Sequence, residues 1–362
     1  MGQMDRGGVA VENKLAFYGE KSFLPLTRDD VSGWFEVLDR ATDDLCSRLN
    51  AIDIRSQKPS ESKDELLKET YAAVHDICQV CMKIDELLAD NKDLLREKRL
   101  EFHKKTQSVI TKSKLALHAR TWPFGYPGDH TIIEDVYRNS PKSLGVGYFL
   151  DMKFLTADLA VGIRDRMLLM RELLKAELYE RDAPKILNIG CGSSREIFEI
   201  APLIKMSGAN VTCVDFDSEA LNYSASRLSY ADILPQVTLR QYNALRMISH
   251  KRNMKEFGPQ DVIYSIGLLD YLEDNVLIRL LKSLYALLTP GGKLIAVFKD
   301  CDKYVSQEYT WMLDWDAFYK RTFDESRDLV AKAGIPEESI EIKRNSTGVI
   351  IFYSINKSAE SE

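Results

Sequence analysis

The chain has 362 residues, a formal net charge of −6 and 45% hydrophobic residues. This length is enough for two domains, one of them with a full α/β core. No lysine or arginine block dominates a predicted binding face, so the charge pattern argues against nucleic acid, which needs a basic footprint. The longest apolar stretches fall well short of the roughly 20 residues that a membrane-spanning helix needs, which argues against membrane insertion.

The first third of the sequence predicts a bundle of helices. A capping-box pattern at Thr27 to Asp30 precedes apolar residues that recur with helical spacing from Val31 to Ile52. A second helix is predicted from Lys63 to Asp90, and a third, basic one from Lys92 to about Leu117. We therefore predict an N-terminal helical domain at residues 1–120 with no visible chemistry of its own. It is a candidate homodimer interface or a cover over an active site, and both roles stay open.

The cysteines are scattered through predicted helices, strands and a loop, at positions 46, 78, 81, 191, 213 and 301. This usage indicates reduced thiols and a cytoplasmic protein. The first 14 residues also lack the apolar core of a signal peptide. His75, Cys78 and Cys81 look like metal ligands, but their spacing spreads the side chains around a helix and no second such pair lies nearby. We expect core packing there and no metal.

Residues 120–130, RTWPFGYPGDH, form a segment unlike its surroundings, with two prolines, two glycines and three aromatic residues. Such a loop is rigid, and its aromatic residues are costly to expose, so it either packs two domains together or lines a pocket. Residues 121–180, this loop and a helix from Phe149 to Glu180, are predicted to connect the domains and cover the substrate. The loop's candidates for positioning or proton transfer are Tyr126, Asp129 and His130.

From Lys185 onward the pattern becomes strand, turn and helix. Ile186, Leu187 and Ile189 form an apolar run typical of a buried parallel strand. The turn Gly190-Cys-Gly-Ser193 follows, and then the helical run REIFEIAPLIK. Glycines let the backbone pass close to a ligand, and a helix start offers free N–H groups, so this corner predicts nucleotide binding.

The following strands extend the pattern. A second strand ends in Asp215-Phe216-Asp217, where a carboxylate roughly 20 residues past the glycines can accept both ribose hydroxyls of a nucleoside. The next landmarks are QYNAL (241–245), DVIYSIGLLDYL (261–272), Thr289-Pro-Gly-Gly292 and the strand KLIAVF. Each strand is followed by a helix, as a doubly wound parallel sheet requires. The run from Gly348 predicts a last, antiparallel strand.

This series of motifs resembles the class I S-adenosylmethionine (SAM) dependent methyltransferases. The resemblance implies an α/β fold, a Rossmann-like doubly wound methyltransferase sheet at residues 181–362 behind the all-helical domain, with SAM as the cofactor. Three positions depart from the pattern: Asn188 replaces an acidic residue, Ser193 replaces a glycine, and Arg195 stands where an NAD enzyme needs its last glycine. The implied cofactor-binding residues are Asn188, Gly190, Cys191, Gly192, Ser193, Asp215, Phe216, Asp217, Asn243, Ala244, Ser265, Ile266, Gly267 and Leu268.

One cation is also wanted for the SAM carboxylate. Arg164 or Arg166, in the helix before the glycine loop, can supply it, although a salt-bridged helix surface explains these residues equally well. Arg164 is our candidate. Tyr271, after the fourth strand, is a further candidate for positioning or proton transfer, and Asp270 either points toward the substrate or caps a helix. The aromatic residues from Lys299 to Thr322 are spaced as in an amphipathic helix.

The segments GYPGD, AVGIRDR, VDFDSEAL, YSIGLLDYL and WMLDWDAFYKRT, within residues 120–355, resemble one group in particular. That group makes the hydroxypalmitic acid methyl ester (extracellular factor) signal of bacterial quorum sensing. The resemblance implies a small-molecule acceptor methylated on a carboxylate oxygen. The acidic and aromatic residues of the pocket segments favour a cationic amine, guanidine or amino acid instead; the acids are Asp129, Asp270, Glu273, Asp274, Asp314 and Asp316. A non-catalytic SAM-binding scaffold is the alternative of another class.

Overall fold

The structure, a computed structural model, describes residues 31–359. The predictions for the capping box at Thr27 to Asp30 and for the N-terminal 14 residues lie outside this range. The described chain forms two compact units. The helical unit contains residues 31–128, 139–157 and 305–316, and the sheet unit contains residues 129–138, 158–304 and 317–359.

The described chain is helical as far as residue 180, and strands and helices follow one another from residue 185 onward. The helices are α1 (Val31–Arg55), α2 (Lys63–Leu87), α3 (Lys92–Ile110), α4 (Lys114–Thr121), α5 (His130–Arg138), α6 (Val146–Leu155), α7 (Asp158–Glu180), α8 (Arg195–Glu199), α9 (Ala201–Ser207), α10 (Ser218–Tyr230), α11 (His250–Glu256), α12 (Asp274–Leu287), α13 (Gln307–Thr310) and α14 (Phe323–Lys332). The strands are β1 (Lys185–Ile189), β2 (Asn210–Asp215), β3 (Val237–Gln241), β4 (Gln260–Ser265), β5 (Leu288–Lys299), β6 (Ile340–Arg344) and β7 (Ile350–Asn356).

The helical unit is built on the apolar stripes of α1 and α2, which pack together. The helices α2 and α4 begin at side-chain caps. Ser62 accepts a hydrogen bond from the Glu65 N–H, and Ser113 accepts one from the Ala116 N–H. The prediction of one third helix from Lys92 to about Leu117 is wrong. This helix, α3, ends at Ile110, and Ser113 caps a new helix, α4. Cys78 and Cys81 are buried in this unit's core. Among residues 31–359, none of the helices is both long and apolar enough to cross a membrane.

Two further predicted helices are interrupted. The helix predicted from Phe149 to Glu180 is two helices, since α6 ends before Thr156 and α7 begins at Asp158, where the chain passes into the sheet unit. The segment from Lys299 to Thr322 is irregular apart from short turns and α13. Trp311 and Trp315 are buried there, so tertiary packing has overridden the helical spacing of the aromatic residues.

The sheet of the described residues has seven strands in the order β3-β2-β1-β4-β5-β7-β6. The strands β1 to β5 are parallel, while β7 pairs antiparallel with both β5 and β6. The predicted Rossmann-like sheet and its antiparallel last strand are confirmed. The strand order reverses between β1 and β4, and ligands of open α/β sheets bind at the carboxyl ends of the strands beside such a point.

Candidate active site

The glycine loop follows β1 with two residues in left-handed backbone. Gly190 has φ +67°, and a Cβ atom there would lie 3.0 Å from the Cβ atom of Leu268. Gly192 has φ +50°, and a Cβ atom there would meet nothing within 4 Å. The N–H groups of Gly190 and Cys191 both donate to the Val214 carbonyl, at 2.9 and 3.1 Å. The loop is thus held on β2 with an open face at Gly192, as a ligand-binding loop requires.

Asp215 ends β2 directly beside this loop. Asp215 is 7% exposed, and its carboxylate accepts hydrogen bonds from the Gly192 N–H (2.8 Å) and the Asp217 N–H (3.0 Å). Burial raises the pKa of the Asp215 carboxyl. Because a carboxylate has about four acceptor sites, acceptor capacity remains for ribose hydroxyls. The neighbouring Phe216 exposes 55% of its surface, and Asp217 accepts from the Glu219 N–H at 2.9 Å and so caps α10.

The remaining cofactor candidates border the same carboxyl edge of the sheet. The Asn243 side chain accepts a hydrogen bond from the Leu245 N–H at 2.9 Å and caps the short turn that contains Ala244. Ser265 donates to the Ile189 carbonyl at 2.9 Å, which ties the end of β4 to the end of β1. Ile266 is buried, while Gly267 and Leu268 are half-buried. This edge offers a nucleoside both apolar surface and polar anchors.

Asn188 takes part in a buried hydrogen-bond network under the loop. Its side-chain N–H donates to Glu196 Oε1 at 2.9 Å, and the Tyr264 hydroxyl donates to the same oxygen at 2.8 Å. Burial raises the pKa of the Glu196 carboxyl. Among residues 31–359, the Asn188 side-chain oxygen has no hydrogen-bond partner. A carboxyl group is therefore present below the loop, supplied by the following helix instead of by the first strand.

The unusual residues Ser193 and Arg195 both bind Glu134, which lies on α5. The Ser193 hydroxyl donates to Glu134 Oε1 at 2.6 Å, and Arg195 donates to Oε2 at 3.1 Å. Arg227 of α10 donates to both Glu134 oxygens at 2.6 Å and to the Ser193 carbonyl at 3.0 Å. The Glu134 carboxylate is buried, and although burial opposes it, its hydrogen bonds to Arg227 and Ser193 lower its pKa. Ser193 and Arg195 thus tie the glycine loop to α5. Arg195 stands at the position where a dinucleotide-binding fold has its last glycine.

The proposed positioning and proton-transfer residues take part in separate contacts. Asp129 accepts hydrogen bonds from the N–H groups of Thr131 (2.8 Å) and Ile132 (3.1 Å) at the start of α5. Nδ1 of the adjacent His130 lies 3.6 Å from Asp217 Oδ2, at the start of α10. The Tyr271 ring instead packs edge-on against Phe318 with centroids 5.0 Å apart. Tyr126 belongs to the helical unit.

Beside Tyr271 lies a buried ion pair that the sequence did not indicate. Lys299 Nζ donates to Asp270 Oδ2 at 2.6 Å, and the Lys299 backbone N–H donates to Oδ1 at 3.1 Å. Burial lowers the pKa of Lys299 although Asp270 opposes that effect. Nζ also lies 3.9 Å from the centroid of the Phe318 ring. Asp270 is therefore committed to Lys299.

The two arginines of α7 occupy different environments. Arg166 is 5% exposed, whereas Arg164 is half-buried. A Cβ atom on Gly267 would lie 3.6 Å from Nη2 and 3.7 Å from Nη1 of Arg166, so this guanidinium lies against the residue just after β4. The sequence held a signal for this, because Arg166 falls on the same helical stripe as Gly162, Ile163 and Met170.

Comparisons with known proteins find a matching family model and solved structures of similar fold. Residues 187–294 match a family model described as a methyltransferase domain. No curated protein matches the sequence. A solved structure of a possible exported protein from Bordetella parapertussis is 16% identical, with a TM-score of 0.54 over 89% of this chain and 97% of that chain. Its overall fold is therefore similar, helical region included.

Two solved methyltransferases match a smaller share of this chain and with lower TM-scores. Magnesium protoporphyrin IX methyltransferase from Synechocystis PCC 6803, with bound S-adenosylhomocysteine, is 14% identical over 56% of this chain and 86% of that chain, with a TM-score of 0.42. The 1,6-didemethyltoxoflavin-N1-methyltransferase of Burkholderia thailandensis is 17% identical over 53% and 78%, with a TM-score of 0.38.

The matched domain defines a class of protein. The chain carries a methyltransferase domain, which makes it an enzyme of the SAM-dependent methyltransferase class. The methyltransferase domain implies SAM as its cofactor, and the open glycine loop and the buried Asp215 carboxylate are chemically suited to the nucleoside part of SAM.

Proposed function

We propose that this protein methylates a small-molecule acceptor at the carboxyl ends of β1, β2, β4 and β5. The observation that carries the proposal is the contact between Asp215 and the Gly192 N–H, which sets a buried carboxylate beside an open glycine loop. In this proposal Asp215 accepts from the ribose hydroxyls and Gly192 faces the donor. Asn243 and Ala244 border the adenine, and Ser265 to Leu268 border the reacting methyl group.

The chemistry asks little covalent work of the chain. SAM supplies a methyl group that is already activated, and its transfer is an in-line displacement that depends on proximity and orientation. Ile266 and Leu269 are buried at the end of β4 and contribute apolar surroundings. His130 and Tyr271 remain our candidates for positioning the acceptor or accepting a proton.

We infer a carboxylate oxygen as the methyl acceptor, as in a hydroxy fatty acid, since a carboxylate needs no base. N-methylation of a cationic amine, guanidine or amino acid depends on free acidic side chains near the acceptor. Asp270 pairs with Lys299 at 2.6 Å, and Asp274 pairs with Arg321 at 2.7 Å. Because these acids already have a cation, they offer a cationic acceptor less negative charge than the sequence suggests.

The first test is calorimetric titration of the purified protein with SAM and S-adenosylhomocysteine. We expect Asp215→Ala to weaken both affinities about a hundredfold, because two charge-assisted hydrogen bonds are lost. Asp232→Asn is the matched control, since Asp232 is a surface acid that pairs with Lys205. A folded parent that binds neither compound would contradict the proposal. Binding without methyl transfer to any screened acid or amine would favour the scaffold alternative.

Three further proposals concern the location of the protein, its oligomeric state and the division of the chain. A cytoplasmic location is supported by the six cysteines, all of which are free. A homodimer through the helical region also remains a proposal. So does a division of roles after residues 120 and 180, which differs from the two compact units because neither unit is a continuous stretch of sequence. Light scattering of the purified protein measures the oligomeric state directly.

A further inference from the structure

Three arginines of the described chain are buried, namely Arg99, Arg166 and Arg321. Arg99 pairs with Asp85 at 2.9 Å, and Arg321 pairs with Asp274 at 2.7 Å. Within residues 31–359, Arg166 has no carboxylate at ion-pair distance, and its Nε atom has no hydrogen-bond partner. Arg166 is therefore a buried cation without the partner that its two counterparts have.

A buried charge such as that of Arg166 costs free energy unless an opposite charge binds to it. A buried charge loses its hydration, and proteins compensate by pairing it with an opposite charge or with hydrogen bonds. The groups around Arg166 do this only in part. Tyr137 shares a side-chain hydrogen bond with Arg166. Burial raises the pKa of the Tyr137 hydroxyl and of the Glu196 carboxyl, and the Arg166 charge opposes both effects. Glu196 is beyond ion-pair distance and already accepts from Asn188 and Tyr264.

A second buried cation, Lys299, lies near Arg166. Burial lowers the pKa of Lys299, Asp270 opposes that effect, and the nearby Arg166 charge reinforces it. Since Lys299 is neutralised by Asp270 at 2.6 Å, the charge left uncompensated is that of Arg166.

The position of Arg166 is set by the packing of α7. At Gly162, one turn earlier, a Cβ atom would lie 3.0 Å from Cγ1 of Ile350 in β7, so the helix is held closely against the sheet. The guanidinium consequently lies against Gly267, immediately after β4. This is the point beside which the strand order reverses, where open α/β sheets bind their ligands.

We propose that Arg166 is the carboxylate-binding residue of this site. A guanidinium can hold a carboxylate through two parallel N–H···O bonds. The carboxylate belongs either to an acidic methyl acceptor or to the methionine part of SAM, since both ligands have one. The inference rests on the proposed function, because both carboxylates belong to ligands of a methyltransferase.

The experiment compares ligands with and without the charge in the parent, Arg166→Gln and Arg166→Lys. The donor arm titrates S-adenosylhomocysteine, which has the carboxylate, and methylthioadenosine, which lacks it. The acceptor arm titrates hydroxypalmitate and its methyl ester into protein saturated with S-adenosylhomocysteine. Lys175→Gln is the matched control, because Lys175 lies on the same helix and pairs only at the surface with Glu172.

We expect Arg166→Gln to lose about tenfold to a hundredfold in affinity for the carboxylate ligand of one arm, and to leave its uncharged counterpart unchanged. Arg166→Lys should retain part of the affinity. A loss confined to S-adenosylhomocysteine assigns Arg166 to the donor, and a loss confined to hydroxypalmitate assigns it to the acceptor.

Stability separates binding from a structural role. Because Arg166 lacks an ion-pair partner, Arg166→Gln should melt at the same temperature as the parent or higher. If the parent binds S-adenosylhomocysteine but Arg166→Gln binds every ligand equally well, the inference is wrong and the methyltransferase function stands. If the parent binds no adenosyl ligand, the proposed function fails. A lowered melting temperature with equal losses for charged and uncharged ligands would also overturn the inference.

Discussion

At the scale of single residues, His103 shows how burial sets a charge state. It lies in the helical unit with Nε2 2.7 Å from the Trp311 carbonyl oxygen. Burial, reinforced by the charges of Arg120 and Arg99, lowers the pKa of His103 to about 4. Nδ1 lies 3.7 Å from Asp314, whose own pKa is raised by burial. His103 is therefore neutral in the folded protein at physiological pH.

This charge state predicts a loss of stability in mild acid. The pKa of an unfolded histidine is about 6.5, so between there and the folded value of about 4 the unfolded chain binds more protons. The free energy of unfolding should fall by about 2 kcal/mol from pH 7 to pH 5 through this residue alone. Urea unfolding at both pH values measures it. His103→Gln should lose less than the parent, and His75→Gln, at an exposed position, should lose as much. Equal losses in all three proteins would contradict the assignment.

At the scale of elements, α5 and the glycine loop are joined by one buried carboxylate. Glu134 binds Ser193, Arg195 and Arg227 together, so the loop depends on a helix about 60 positions earlier in the chain. Removing one partner of a buried ion pair costs about 3–5 kcal/mol, because the remaining charges stay buried.

Glu134→Gln should therefore weaken both folding and cofactor binding. We expect a lower melting temperature and roughly tenfold weaker binding of S-adenosylhomocysteine by calorimetry, because Ser193 is no longer held by a charged acceptor. Glu199→Gln is a matched control. Glu199 binds the same Arg195 at 2.8 Å but, within residues 31–359, does not bind Ser193. Equal affinities for the two variants would show that the loop keeps its shape without the clamp.

The same contrast explains what the sequence could predict. Strands β1 to β5 and the glycine loop were predictable because apolar runs, glycines and Asp215 are local signals. The end of α3 and the irregular path after Lys299 were not predicted, because they depend on contacts far along the chain. Ser113 donates to Asp151 at 2.6 Å, and Trp311 is buried against Phe102. Within the site, Glu196 accepts a hydrogen bond from Tyr264, far along the chain. Arg166 has no carboxylate partner among the described residues. No short motif records such pairings.

At the scale of the whole molecule, neither unit is a continuous piece of sequence. The helical unit takes residues 31–128 and then two later segments, 139–157 and 305–316. In the last segment the fully buried Trp311 donates from Nε1 to Asp85 at 2.9 Å and packs edge-on against Phe102 with centroids 5.6 Å apart. Both partners come from the first 120 residues, so the later segment has no core without them.

A protein shortened to residues 121–362 should therefore fail to fold properly. Loss of Asp85 and Phe102 exposes Trp311, and loss of α1 to α3 removes the packing of α6, whose Phe149 and Phe154 are buried. Removing the surroundings of even one large aromatic side chain costs about 3–5 kcal/mol, a large part of a typical domain's stability. We expect aggregation on gel filtration and no cooperative thermal transition by circular dichroism, whereas the full chain should melt cooperatively. A shortened protein that melts cooperatively and binds S-adenosylhomocysteine with the parental affinity would instead support a true domain boundary after residue 120.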